Sequence, residues 1–398
     1  MKNVLIGQSG GPTGVINGSL YGVIKGFKDE NTTIYGMING VEGFLEGRYT
    51  NLSELTDEEL ARLKITPAMY LGSCRYKLPN DLNHEIYEIL HKKFQELNIG
   101  HIFYIGGNDS MDTCHKISEY LKLKDSGITV IGIPKTIDND LNNVDHTPGY
   151  PSSAKYIINE VLNISMDASI YYDKSITIVE IMGRDTGWLT YSSILARKYE
   201  NDNPLLIYLP ERSIPKDKLI KDIENAFKIK NNVVICVSEG IWDENGVLYC
   251  EYDKTVKEDT FGHKNLSGCS KTLEVLLKEQ FGCKTRGIEL NVSQRCANFL
   301  LSSVDLGEAI NYGVYASKFA KEGLTGVVVS SERVSNEPYE LKFIHKNIAD
   351  CALKVKQVPD EFIEDESKFI EYLKPLIGDD VELPKKNGLP NYLYRKGF

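Results

Sequence analysis

The sequence predicts an α/β protein built of two doubly wound, three-layer domains with mostly parallel sheets. Three observations carry that expectation. Short apolar runs rich in β-branched residues recur along the chain, segments of helical period separate them, and Gly, Pro or Asn bounds the runs. The runs are Val4–Ile6, Ile102–Ile105, Thr129–Ile133, Ile176–Ile181, Leu205–Leu209, Val233–Val237 and Val327–Val329. Their length and composition suit strands buried on both faces. Between them, Ala154, Ile157, Ile158, Val161 and Leu162 share one helical face. Strand–helix alternation at this spacing argues for parallel pairing with helices on both sides.

With 398 residues the chain is long enough for two or three domains. Hydrophobic residues make up 41% and charged residues 26%, which excludes a disordered chain, a collagen-like repeat or a coiled coil. The 46 Lys and Arg against 56 Asp and Glu leave a net charge of −10. An acidic whole does not suit nucleic acid or an anionic membrane surface, so neither is expected as a partner. Positive charge for an anionic substrate must then be concentrated locally. The eight cysteines show no paired zinc or redox spacing and read as reduced residues of a cytoplasmic protein. No apolar run approaches the roughly 18 residues of a membrane helix. The Val4-Leu5-Ile6 run is too short for a signal peptide. From about Ser335 onward the periodicity weakens, and a C-terminal extension of one or two helices and a tail is expected.

In doubly wound sheets, ligands bind beyond the carboxyl ends of the strands. The residues that follow the runs are therefore the candidates. The first turn, Gly10-Gly11-Pro12-Thr13-Gly14, lets backbone N–H groups approach an anion at a helix start. It lacks the Lys-Ser/Thr ending of a P-loop and is not Gly-x-Gly-x-x-Gly; alone, it could be a turn without a ligand. The second, Gly106-Gly107-Asn108-Asp109-Ser110, puts an amide and a carboxylate after a glycine pair, suiting phosphate and metal, although Asp109 and Ser110 could simply cap a helix. The third, Lys135-Thr136-Ile137-Asp138-Asn139-Asp140, is the sharpest. Phosphoryl transfer to a hydroxyl needs a base, cations on the donor phosphates and a further acid to organise metal or base, and Asp138, Lys135 and Asp140 could fill those roles. Arg75, Arg184, Arg286 and Arg295 are candidates for bidentate phosphate recognition. His146, one of seven histidines, is assigned no catalytic role.

Taken together, Ser9-Gly10-Gly11, Gly106 to Ser110, Lys135 to Asp140, Met182-Gly183-Arg184 and Ser238-Glu239-Gly240 resemble the phosphofructokinase family in order and spacing over about residues 3 to 330. The resemblance implies magnesium-dependent phosphoryl transfer to the C1 hydroxyl of fructose 6-phosphate. It implies a donor domain over 1–148 plus 295–345, a sugar-phosphate domain over 149–294 and an extension over 346–398. Asp138 matches the general base, Thr136 a contact to the sugar or the transferring group, and Asp140 a metal-organising carboxylate. Met182, Gly183, Arg184 and Glu239 match the sugar-phosphate pocket. Arg286 and Arg295 match its arginines, one of them usually supplied by a neighbouring subunit, so a homodimer or homotetramer with active sites at subunit interfaces is expected. Gly11 and Arg75 match donor-phosphate contacts, and Asn108 stands where many members carry a metal-binding aspartate, which its amide oxygen could replace.

Two positions bear on the donor. ATP-using members normally read Gly-Gly-Asp-Gly-Ser in the second turn, whereas Asp109 stands at the last of those glycines. A carboxylate about 4 Å from a phosphate charge costs about 4 kcal/mol at an effective dielectric near 20, roughly a thousandfold. Lys135 replaces a second glycine and adds a cation. The pair resembles that of pyrophosphate-dependent members, so inorganic pyrophosphate is the expected donor and reversibility the expected consequence. Ser175 departs from the family where a cross-subunit arginine is frequent, with Lys174 beside it, and Val292 where a histidine is. The alternatives are sedoheptulose 7-phosphate as acceptor, ATP as donor, or a regulatory paralogue without activity.

Overall fold

The computed structural model describes residues 2–28, 30–197, 205–252, 268–351 and 355–395. In chain order its principal strands are β1 (Asn3–Gln8), β2 (Ile34–Met37), β3 (Tyr49–Asn51), β4 (Ile99–Gly106), β5 (Thr129–Pro134), β6 (Ser175–Ile181), β7 (Leu205–Tyr208), β8 (Asn232–Ser238), β9 (Lys284–Glu289), β10 (Val327–Asn336) and β11 (Tyr339–Asn347). Each of the seven runs forms a strand. The mixed α/β class with mostly parallel sheets is the one expected. The chain forms two compact units: residues 1–153, 295–354 and 375–398, and residues 154–294 and 355–374.

The first unit holds a seven-stranded sheet in the order β11-β10-β5-β4-β1-β2-β3. β1 pairs in parallel with β2 on one side and β4 on the other, and β4, β5 and β10 continue the parallel pairing. The chain leaves β1 toward β2 and returns to β4 on the opposite side, so β1 and β4 flank a topological switch point. Val4, Leu5, Ile6, Ile102, Phe103 and Ile105 are fully buried there, which is why these strands read as continuous apolar runs. Helices Ile16–Phe27 and Ser303–Lys321 pack closely on one another. A Cβ on Gly22 would overlap the Ile310 carbonyl oxygen, and one on Gly313 that of Ser19, so both glycines are needed for this approach.

The second unit holds a four-stranded parallel sheet in the order β7-β8-β6-β9. Its core includes Ile176, Ile178, Val233, Ile235, Leu273 and Leu277.

Four of these principal strands lie outside the sequence pattern. β2 and β3 are short, and β9 is a polar edge strand, Lys-Thr-Arg-Gly-Ile-Glu. β11 pairs antiparallel with β10 and has no fully buried residue, so its alternation is that of a partly solvated hairpin rather than a core strand. The weakening pattern after Ser335 is thus a hairpin first and helices only afterwards. The segment expected as an extension over 346–398 is divided between the units. Residues 355–374 join the second because Phe362, Phe369 and Tyr372 surround Trp188, and Phe369 stacks on Tyr191 at 4.3 Å. Residues 375–398 join the first, where Leu383 packs with Val15, Leu301 and Leu306. Among the described residues no helix is long and apolar enough to cross a membrane.

Candidate active site

In the first unit, three of the expected turns leave the carboxyl ends of adjacent strands. Gln8 of β1 is level with Ile105 of β4, and Gly106 of β4 with Pro134 of β5. The Gly10, Gly106 and Lys135 turns therefore begin side by side at the switch point. Side chains tie them together. Ser9 Oγ lies 2.5 Å from Ser110 Oγ, joining the first two turns. Lys135 N donates to the Gly106 carbonyl at 2.9 Å, joining the second and third. Gly10 adopts a left-handed φ of 83°, and its carbonyl accepts from Ser73 Oγ at 2.8 Å, which brings in the segment carrying Arg75.

Lys135 is the centre of this arrangement. Its side chain is buried, with Nζ donating to the Gly11 carbonyl at 2.6 Å. Burial pushes its ammonium down to about 8, the nearby Asp138 and Asp140 carboxylates oppose that shift, and the Arg295 guanidinium reinforces it. A desolvated ammonium with a second cation, Arg295, beside it is suited to a highly charged anion. Arg295 also belongs to this group: a Cβ built on Gly11 would stand 3.8 Å from its Cζ and Nε. Expected with the sugar-phosphate residues, it lies in this unit beside the first turn.

The carboxylates follow Lys135. Asp138 N donates to Thr136 Oγ1 at 3.1 Å, and Thr136 Oγ1 donates to Asp138 Oδ2 at 3.4 Å, so the turn orients its own acid. Asn139 takes a left-handed φ of 54° and is fully buried, its Oδ1 accepting from Thr147 N. Asp140 Oδ2 accepts from Asn108 Nδ2 at 2.9 Å. The Asn108 Oδ1 is buried with no hydrogen-bond partner. Such an orphaned oxygen beside a carboxylate fits a hard, oxygen-loving cation. The described residues contain no cluster of three His, Cys, Asp or Glu side chains that could hold a metal, so an ion here would complete its shell with phosphate and water.

Asp109 is exposed rather than enclosed. It lies in the first turn of helix Asn108–Leu123, its side chain is 75% exposed, and it stands 3.5 Å from Lys77 Nζ. Solvent and Lys77 screen its charge, so the Coulomb cost to a third phosphate falls from about 4 kcal/mol toward the ~1 kcal/mol of bulk water. What remains at this position is the volume of a side chain where a glycine would leave space. Nothing in the sequence singles out Lys77, because a lone exposed lysine carries no pattern.

In the second unit, β6 and β8 are neighbours, and Ile181 is level with Ser238. The Met182-Gly183-Arg184 and Ser238-Glu239-Gly240 turns consequently leave the sheet together. Gly183 N donates to Glu239 Oε1 at 3.4 Å, Met182 N donates to Gln294 Oε1 at 3.1 Å, and Ser238 Oγ donates to the Gly183 carbonyl. Gly183 has φ 131°, and a Cβ there would overlap the Thr186 carbonyl, so no other residue suits the turn. Arg286 is not with this group. It pairs in register with Thr177, five residues before Met182, or ~16 Å back along the strand. There it is exposed and paired with Asp167 at 3.2 Å. Ser175, at the start of β6, is buried and accepts from Asn232 Nδ2, while Lys174 lies over the Phe227 ring at 4.9 Å. Val292 is exposed.

Glycine turns, a buried ammonium and paired acids at the carboxyl ends of a parallel sheet define the class as one that handles phosphoryl groups. The phosphofructokinase family profile matches residues 3–320, and the chain belongs to that family. A pyrophosphate–fructose 6-phosphate 1-phosphotransferase of Halomonas elongata is 36% identical, covering 98% of this chain and 94% of its own. A pyrophosphate-dependent phosphofructokinase of Nitrosospira multiformis superposes with a TM-score of 0.89 at 33% identity, covering 99% of this chain and 96% of its own. A sulfofructose kinase of Alkalicoccus urumqiensis is 32% identical, covering 94% of this chain and 95% of its own.

Proposed function

We propose that this enzyme transfers a phosphoryl group reversibly from inorganic pyrophosphate to the C1 hydroxyl of fructose 6-phosphate, giving fructose 1,6-bisphosphate and phosphate. The observation that carries the reading is the buried Lys135 ammonium, anchored on Gly11 beside Arg295 with Asp138 three residues away. A compact, highly charged donor needs concentrated positive charge at its phosphates and no cavity for a nucleoside, and the side chain at Asp109 occupies what a glycine would leave open. The names of the Halomonas and Nitrosospira proteins agree with this donor.

In the forward step Asp138 takes the proton of the C1 hydroxyl as that oxygen attacks the terminal phosphorus. The bridging P–O bond breaks and phosphate leaves. Thr136 holds the Asp138 carboxylate, and Lys135, Arg295, Arg75 and the Gly11 backbone carry the donor oxygens. Asn108 Oδ1 and Asp140 would hold magnesium, which when bound neutralises charge on the phosphates. Met182, Gly183, Arg184 and Glu239 bind the sugar phosphate. Arg286, set apart from them along its strand, would serve a neighbouring subunit in a homo-oligomer, as the family resemblance implies. The eight free cysteines accord with a reducing cytoplasm.

The sulfofructose kinase relative motivates one competing acceptor, since a sulfonate could meet the same arginines as a phosphate. Phosphorus NMR tests the reading. Pyrophosphate with fructose 6-phosphate should yield phosphate and the 1,6-bisphosphate, and the reverse mixture should yield pyrophosphate. A higher kcat/KM with sulfofructose or sedoheptulose 7-phosphate would move the acceptor assignment while leaving the donor intact.

A further inference from the structure

We propose that His146 is a positioning residue for phosphoryl transfer, clamping the segment that carries Asp138 to helix Ser303–Lys321 and the β10–β11 hairpin. The proposal rests on Asp138 being the base.

His146 is buried, and both ring nitrogens face carboxylates. Nδ1 lies 2.8 Å from Asp145 Oδ1, and Nε2 lies 2.5 Å from Glu308 Oε2. Facing two ionised carboxylates, the ring is held as an imidazolium that donates from both nitrogens. Each carboxylate has a further partner. Asp145 Oδ1 accepts from Arg333 Nη2 at 2.8 Å, and Glu308 Oε1 accepts from the Tyr339 hydroxyl at 2.6 Å. Two acids and two cations from three parts of the chain thus close a neutral buried network. Burial alone would lower the imidazolium, but the two carboxylates raise it to about 9.

A buried ionic network is often no more stabilising than apolar packing of the same volume, and the role proposed for this one is to fix one arrangement. What this one fixes is next to it. Thr147 N donates to Asn139 Oδ1 at 3.1 Å, and Thr147 Oγ1 donates to the Thr136 carbonyl at 2.8 Å. Gly149 bridges to Thr136, and its N–H donates to the buried Asp305 of the same helix as Glu308 at 2.9 Å. The loop from Thr136 to Gly149 is therefore stapled at its base, one residue from His146, with Asp138 inside the staple. The influence of His146 on Asp138 runs through Thr147 and Asn139.

The test is steady-state kinetics per folded enzyme on His146→Ala, on the double variant His146→Gln with Glu308→Gln, and on Asp138→Ala. A misplaced reacting group can cost about a hundredfold, so His146→Ala should lose about that in kcat in both directions, with each KM within threefold. The double variant, whose facing amides can bond without charge, should recover at least tenfold of the loss. A kcat within threefold of wild type for folded His146→Ala overturns the proposal. If that variant does not fold, Tyr339→Phe decides: a severalfold loss in kcat at constant KM supports the clamp, and an unchanged kcat overturns it. Asp138→Ala with near-normal rate would sink the base assignment instead, which separates the two failures.

Discussion

The Nζ of Lys135 reaches back across the sheet end to the Gly11 carbonyl at 2.6 Å, so the cation of the third turn is anchored on the backbone of the first. Removing it strips the donor site of a desolvated charge. Lys135→Met should raise the KM for pyrophosphate about 10- to 100-fold, the range for one charge-assisted hydrogen bond, and leave the KM for fructose 6-phosphate nearly unchanged. Initial-rate kinetics on both substrates check this.

The same lysine makes donor binding depend on pH. Its ammonium is pushed down to about 8 by burial, and a bound polyanion raises it again. Below pH 8 the free enzyme already carries the charge. Above pH 8, binding must take up a proton, so affinity should weaken up to tenfold per pH unit. Titration calorimetry in two buffers of different ionisation enthalpy would show proton uptake at pH 9 and little at pH 7. No uptake at either pH would mean that Lys135 does not meet the donor.

Asp138→Ala should lower kcat by about 10² to 10⁴, the usual contribution of a general base, while sugar-phosphate binding survives. Binding is read by calorimetry and turnover by a coupled assay.

At Asn108 the orphaned Oδ1 predicts the direction of a metal effect. Asn108→Asp adds a charge and should lower the magnesium concentration needed for half-maximal rate. Asn108→Leu removes the oxygen and should raise it. A magnesium titration of the rate distinguishes the two.

The parallel strands and their three donor turns were legible because burial on both faces gives apolar runs that end abruptly in glycine or polar residues. β9 and β11 were not, since edge strands are half solvated and their sequences alternate weakly. Arg295 was legible as a phosphate ligand but not as a neighbour of Gly11, which depends on a contact between residues far apart in the chain. Asp109 shows the converse. Its identity was plain, but its exposure and its Lys77 partner, which decide how much its charge matters, belong to the folded state. His146 carried no pattern at all, because both of its acids matter only once the helix bearing Glu308 packs against the Asp145 segment.

Donor choice is measured by kcat/KM for pyrophosphate and for ATP with fructose 6-phosphate as acceptor, in the wild-type enzyme and in Asp109→Gly with Lys135→Gly. Wild type should favour pyrophosphate over ATP, and the double variant should lose that preference by slowing with pyrophosphate and gaining with ATP. Faster turnover of the wild-type enzyme with ATP would contradict the account.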